Sequence, residues 1–77
     1  MTSITDTLSY LIKAIVSDNS SVVIDTREEG DIQIFEVSAA PEIIGQIIGK
    51  EGKIIKSIRT ILNLSFPNIH YSLEIKG

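Results

Sequence analysis

The chain contains no cysteine. That excludes a disulfide framework and any thiolate zinc site, so stability must come from packing, and it suits a cytoplasmic setting. There is no uninterrupted run of about 18 apolar residues, the length a membrane span needs, so no membrane insertion is expected. The start of the chain does not read as a secretory signal, because Asp6 interrupts it within a periodic amphipathic pattern. Tryptophan is absent, and Tyr10, Phe35, Phe66 and Tyr71 are scattered rather than clustered. No group of residues has the spacing of a metal site. The single histidine, His70, falls on the polar side of an alternating segment without companion ligands. No serine, histidine and acid combination has a supporting context, so the chain reads as neither an enzyme nor a cofactor carrier. An excess of positive charge is missing too, since seven Lys and Arg face ten Asp and Glu, for a net charge of −3.

What is present is isoleucine, sixteen of them in 77 residues with 43% apolar composition, enough for one compact core. The chain reads as a single domain over residues 1–77, with no linker, repeat or low-complexity stretch. Ile4, Leu8, Leu11, Ile12, Ile15 and Val16 recur with helical period. Thr2, Ser3 and Thr5 are capping candidates, and Ser17-Asp18-Asn19-Ser20 ends the helix. Two β-rich runs follow, from Val22 to Arg27 and from Ile32 to Val37, joined by Glu28-Glu29-Gly30-Asp31 as a hairpin. Pro41 opens a second helix whose buried side is Ile43, Ile44, Ile47 and Ile48. A third helix follows Gly52. On a helical wheel Ile54, Ile55, Ile58, Ile61 and Leu62 fall within an arc of about 120°, while Lys53, Lys56 and Arg59 occupy the other side. After Phe66-Pro67-Asn68 the residues Ile69, Tyr71, Leu73 and Ile75 alternate with polar ones, which is a half-buried strand. The order α-β-β-α-α-β predicts an α+β fold. It has a three-stranded mixed sheet, the last strand parallel to the second, and three helices on one face.

The most informative stretch joins the second and third helices. Gly49-Lys50-Glu51-Gly52 is a G-x-x-G turn between two apolar helices. Two glycines three apart allow a sharp bend and leave no Cβ to hold another chain away. The following helix offers its first N–H groups at that point. Four of the seven basic residues, Lys50, Lys53, Lys56 and Arg59, lie within ten positions of one another. Charge read by region is therefore lopsided, at −5 for residues 1–40 and +2 for residues 41–77. With a Debye length of about 8 Å at physiological salt, a phosphate near the loop feels the local cations more than the distant acids. A nucleotide P-loop is excluded, because Gly45 and Gly49 are separated by three residues and Glu51 stands where magnesium binding needs Ser or Thr. Gly45 admits two readings, helix packing or the floor of a groove. Ile61, Leu64 and Phe66 are more apolar material than one small core easily covers. Either the three form a two-fold contact between copies, or Leu64 and Phe66 plug the gap between helix and sheet.

The run Ile43-Ile44-Gly45-Gln46-Ile47-Ile48-Gly49-Lys50-Glu51-Gly52-Lys53-Ile54-Ile55, followed by Lys56 and Ile58-Arg59 and set in this element order, resembles a type II KH domain over essentially the whole chain. In length it is similar to the small bacterial proteins that consist of one KH domain, the KhpA type. The resemblance implies cytoplasmic binding of single-stranded RNA with low sequence specificity, and RNA-chaperone activity. It implies dimerisation, either with itself or with a larger KH-containing partner of the KhpB (Jag/EloR) type linked to cell elongation and envelope growth. By position it assigns the RNA clamp to Gly49, Lys50, Glu51 and Gly52, phosphate contacts to Lys53 and Lys56 with Arg59 beside them, and the groove wall to Gly45 and Ile48. Without an aromatic stacking platform, grip on the backbone is expected to outweigh base readout. The alternative is an adaptor that keeps the fold mainly to dimerise.

Overall fold

The computed structural model describes residues 3–76. Helix α1 (Ile4–Ile15) starts where the Ser3 hydroxyl accepts a hydrogen bond from the Asp6 N–H at 3.1 Å. Ser3 is thus the cap among the three candidates. Thr5 lies inside the helix, and Thr2 lies outside the described residues. Ile4, Leu8 and Ile12, four apart, turn inward.

Strands β1 (Val23–Glu29) and β2 (Ile32–Ser38) pair antiparallel from Val23 opposite Ser38 to Glu29 opposite Ile32. The turn is therefore Gly30-Asp31 alone, shorter than the four-residue connection expected. Gly30 takes a φ of 61° at the first turn position. That is a conformation two-residue hairpins require and glycine supplies without strain, so pairing continues through Glu28 and Glu29. Helix α2 (Pro41–Ile48) opens on its proline. Helix α3 runs from Lys53 to Ser65. Strand β3 (Tyr71–Lys76) lies parallel to β2, with Gln33 opposite Tyr71 and Ser38 opposite Lys76. It starts two residues later than the alternation suggested, because the Ile69 N–H donates to the Phe66 carbonyl at 3.2 Å and is spent in the turn. The sheet order is β1-β2-β3, with β2 in the centre.

Alternation then sorts the two faces. Phe35 and Val37 on β2 and Leu73 on β3 enter one buried cluster with α1, with Ile43, Ile44 and Ile47 of α2, and with Ile55, Ile58 and Leu62 of α3. All three helices thus cover one face of the sheet, as the element order predicts. The opposite face carries charge. Arg27 reaches from the edge strand to Glu29 (3.1 Å), Glu36 (3.4 Å) and Glu74 (3.8 Å), and Lys76 reaches Glu36 at 3.1 Å. The hydrogen bond from Lys76 holds the Glu36 carboxyl below its usual range, aided by Arg27. These side chains are solvated, so the network contributes little stability. Its consequence is that both cations of this face are already engaged by carboxylates.

Candidate nucleic-acid interface

The sequence-assigned residues from Gly45 to Lys56 come together because α2, the loop and the first turns of α3 are continuous. On α2, Ile43, Ile44 and Ile47 are buried, but Ile48 is 37% exposed. It does not belong to the helix's buried side, and it shares a face with Gly45 one turn earlier. A Cβ added at Gly45 would meet nothing within 4 Å. The packing reading of Gly45 therefore fails, and the helix surface beside Ile48 is open there. Glycine inside a helix costs roughly 0.5–1 kcal/mol relative to alanine. Gly45→Ala is accordingly expected to raise stability by about that amount in a thermal melt. If this surface meets RNA, the same variant weakens RNA binding, so the two readouts move in opposite directions.

Gln46 is a residue that sequence reasoning passed over. Its Oε1 accepts from the Ser17 N–H at 2.8 Å and its Nε2 donates to the Ser17 hydroxyl at 3.0 Å. This brace ties the end of α1 to α2 and so helps fix the position of α2. Its one signal in the sequence was a polar residue inside an isoleucine-rich helix.

The two loop glycines have different reasons to be there. Gly49 sits at φ 75°, ψ 175°, a region open essentially to glycine alone. Its N–H donates to the Gly45 carbonyl at 2.9 Å and closes α2. A Cβ at Gly49 would lie 2.6 Å from Cγ1 and 2.8 Å from Cβ of Ile54. The bare α-carbon is what allows Ile54 of α3 to fold back against the end of α2. Gly52, at φ 72°, ψ 18°, needs the left-handed region but has space around it, with Cγ2 of Ile55 at 3.9 Å. Between them Glu51 adopts φ 58°, ψ 23°, and it is the one non-glycine residue with positive φ among those described. That conformation costs a residue bearing a β-carbon roughly 1–2 kcal/mol.

The donors available at the loop differ from those the sequence suggested. The Gly52 N–H is turned back to the Gly49 carbonyl at 3.1 Å, and the Lys53 N–H to the Lys50 carbonyl. The start of α3 is therefore partly satisfied by the loop itself. No bond runs from the Lys50 or Glu51 N–H back to α2. The backbone donors best placed for an anion are those of the variable pair, at the tip.

Lys50, Lys53, Lys56 and Arg59 are all exposed. Among the described residues, the ion pairs involve only Arg27 and Lys76 as cations, so the four basic residues around the loop carry no intramolecular neutralisation. Arg59 lies one turn beyond Lys56, on the side of α3 nearest β3. The Tyr71 hydroxyl donates to Asn63 Oδ1 at 2.8 Å, with the Arg59 carbonyl at 3.3 Å, and so ties that side of α3 to the strand. Burial pushes the Tyr71 phenol above its ordinary value, with the Arg59 charge opposing. Tyr71 and Phe35, whose rings are 6.4 Å apart, are thus spent on packing. No aromatic residue lies on α2, the loop or α3.

The remaining three candidates separate. Ile61 is 41% and Leu64 77% exposed, and both lie on one side of α3. Phe66, which follows the helix, is half-buried and packs against the core, so it is the plug rather than part of an open patch.

Residues 5–74 match the family model described as KhpA/KhpB, KH domain. The chain is 44% identical over 70 residues to the RNA-binding protein KhpA of Chlamydia pneumoniae, covering 88% of this chain and 90% of that one. It is 43% identical over 72 residues to the protein of the same name from Chlamydia caviae, covering 91% and 92%. With that of Treponema pallidum it shares 30% over 70 residues, covering 88% of each. No solved structure gives a significant match.

Proposed function

The chain belongs to the KhpA/KhpB family of KH domains, and from that premise we propose that it binds single-stranded RNA through the Gly49–Gly52 loop. The observation that carries the reading is the combination of a bare glycine-bracketed turn with Lys50, Lys53 and Lys56 exposed and unpaired around it. A phosphodiester backbone can approach such a turn closely, meet the free N–H groups at its tip, and be neutralised from three sides. Gly45 and Ile48 supply an apolar floor on which a base can rest. The lack of an aromatic platform makes contact sequence-tolerant, which suits an RNA chaperone more than a reader of one motif. The carboxylate-engaged cations of the sheet's far face make that face a poor second site for phosphate. No helix among the described residues is long and apolar enough to cross a membrane, and the cytoplasm is the proposed place of action.

The test is salt. Each phosphate contact on a single strand contributes a slope of about −0.7 to log affinity against log salt, so three lysines give roughly −2. Lys56→Ala is expected to reduce the magnitude of the slope by about 0.7. A slope near zero would move the binding energy away from phosphates and overturn the loop assignment.

The finer part of the reading is assembly. Ile61 and Leu64, exposed on one side of α3, support a two-fold contact between copies, or between this chain and a larger KH-containing partner of the KhpB type. Through such a partner the role extends to cell elongation and envelope growth. With 41% of Ile61 exposed, Ile61→Lys is expected to leave a folded domain by circular dichroism and to yield a monomer by light scattering. A folded dimer in that variant would remove this patch from the interface. The same exposed pair is what favours the adaptor reading, in which RNA affinity is negligible and the salt titration shows no binding.

A further inference from the structure

Glu51 adopts an unfavourable backbone conformation, and its side chain has no ion-pair partner among the described residues. Its backbone occupies the left-handed region that glycine or asparagine enters far more readily, and it does so between two glycines that already have positive φ. Its exposed side chain is flanked in sequence by Lys50 and Lys53, yet among the described residues it forms no ion pair with either and accepts no side-chain hydrogen bond. It does not cap α3 either, since the cap position belongs to Gly52 and has no side-chain bond. No ion pair or side-chain hydrogen bond of Glu51 among the described residues offsets the backbone strain. Unrelieved strain of this kind collects at functional positions.

We propose that Glu51 is an affinity-limiting residue of the loop, a carboxylate held against the phosphate path so that RNA is bound weakly and released quickly. This rests on the reading of the loop as the RNA site. The glycines on either side cannot shield the charge, and the same bareness that admits a phosphodiester brings it within a few ångströms of position 51. Like charges at such separations in a partly screened setting weaken binding by about three- to tenfold at low salt. Among variants of one interface, changes in affinity fall mainly on the off-rate. An RNA chaperone needs that property, because a grip that does not let go halts rearrangement.

The experiment compares wild type, Glu51→Gln and Glu51→Asn, with Lys50→Ala and Lys56→Ala in the same series. The probe is a fluorescent mixed-sequence single-stranded RNA of about twelve nucleotides, titrated at low and high salt with stopped-flow dissociation, plus a thermal melt. Glu51→Gln removes the charge and keeps the strained backbone. It is expected to bind about three- to tenfold tighter at low salt, through slower release, with the gain shrinking at high salt and the melt unchanged. Glu51→Asn is expected to show the same gain in affinity with a raised melting temperature, because asparagine tolerates the left-handed conformation. If both lysine variants weaken binding while Glu51→Gln leaves it unchanged, the inference fails and the loop assignment stands. If Glu51→Gln weakens binding, the carboxylate is accepting a hydrogen bond from a base amino group and the inference is overturned. If the lysine variants have no effect, the loop is not the RNA site, and both readings fall together.

Discussion

Gly49→Ala is expected to destabilise the domain by about 2–4 kcal/mol, lowering the melting temperature by roughly 10–25 °C. Two costs add. The backbone at φ 75°, ψ 175° is outside the range a residue with a β-carbon enters without strain. The new methyl would also sit 2.6 Å from Cγ1 and 2.8 Å from Cβ of Ile54. Those atoms are near the root of a half-buried side chain packed against the core, so rotation of a flexible tip cannot relieve the overlap. Relief requires α3 to move away from the end of α2, which disturbs Ile55 and Ile58 behind it. Gly52→Ala is the control. It meets only Cγ2 of Ile55 at 3.9 Å and carries the conformational cost alone, roughly 1–2 kcal/mol. Equal melting temperatures for the two variants would show that the close approach of Ile54 to Gly49 is unimportant.

Lys50→Asp combined with Glu51→Asp is expected to leave the fold intact and to lose RNA affinity by at least tenfold. Both residues are exposed, and neither belongs to the core. Aspartate is also more at ease than glutamate in the left-handed conformation that position 51 adopts. The backbone of the turn therefore has no reason to change. What changes is the charge at the tip, where a cation becomes an anion beside the free N–H groups. Loss of one charge-assisted contact costs roughly 1.5–3 kcal/mol, about tenfold or more in affinity, before the added repulsion. Titration with single-stranded RNA and a thermal melt on the same sample check both halves. Unchanged affinity would remove the loop from the binding site, whatever the melt shows.

Much of the architecture was legible because local patterns agreed with one another. The four-residue recurrence of Ile4, Leu8 and Ile12, the proline at the start of α2, and the alternation from Tyr71 to Ile75 each had one consistent meaning, and the helices and strands follow them. The glycine pair and the basic cluster marked the loop for the same reason, since their coincidence within ten residues has few other uses. Where readings stayed open, the deciding quantity was a distance between parts of the chain that periodicity does not report. Gly45 looked equally like a packing residue until the space above it proved empty. Phe66 read equally as part of an interface patch or as a plug, and its position after the end of α3 turns it onto the core. Gln46 drew no notice because its partner, Ser17, is 29 residues away.

The order of elements, the alternation of the last strand, the position of the loop and the sign of the charge around it were fixed along the chain, because these depend only on spacing and composition. The tertiary structure decided the rest. It showed that Gly49 is required by Ile54 and Gly52 only by its own backbone. It showed that the N–H groups starting α3 are partly consumed by the loop, leaving those at its tip. It also showed that Glu51 is held in a left-handed conformation with no side-chain partner among the described residues. Each of these depends on how a backbone torsion or a side chain meets another element in space, and no periodicity along the chain encodes that.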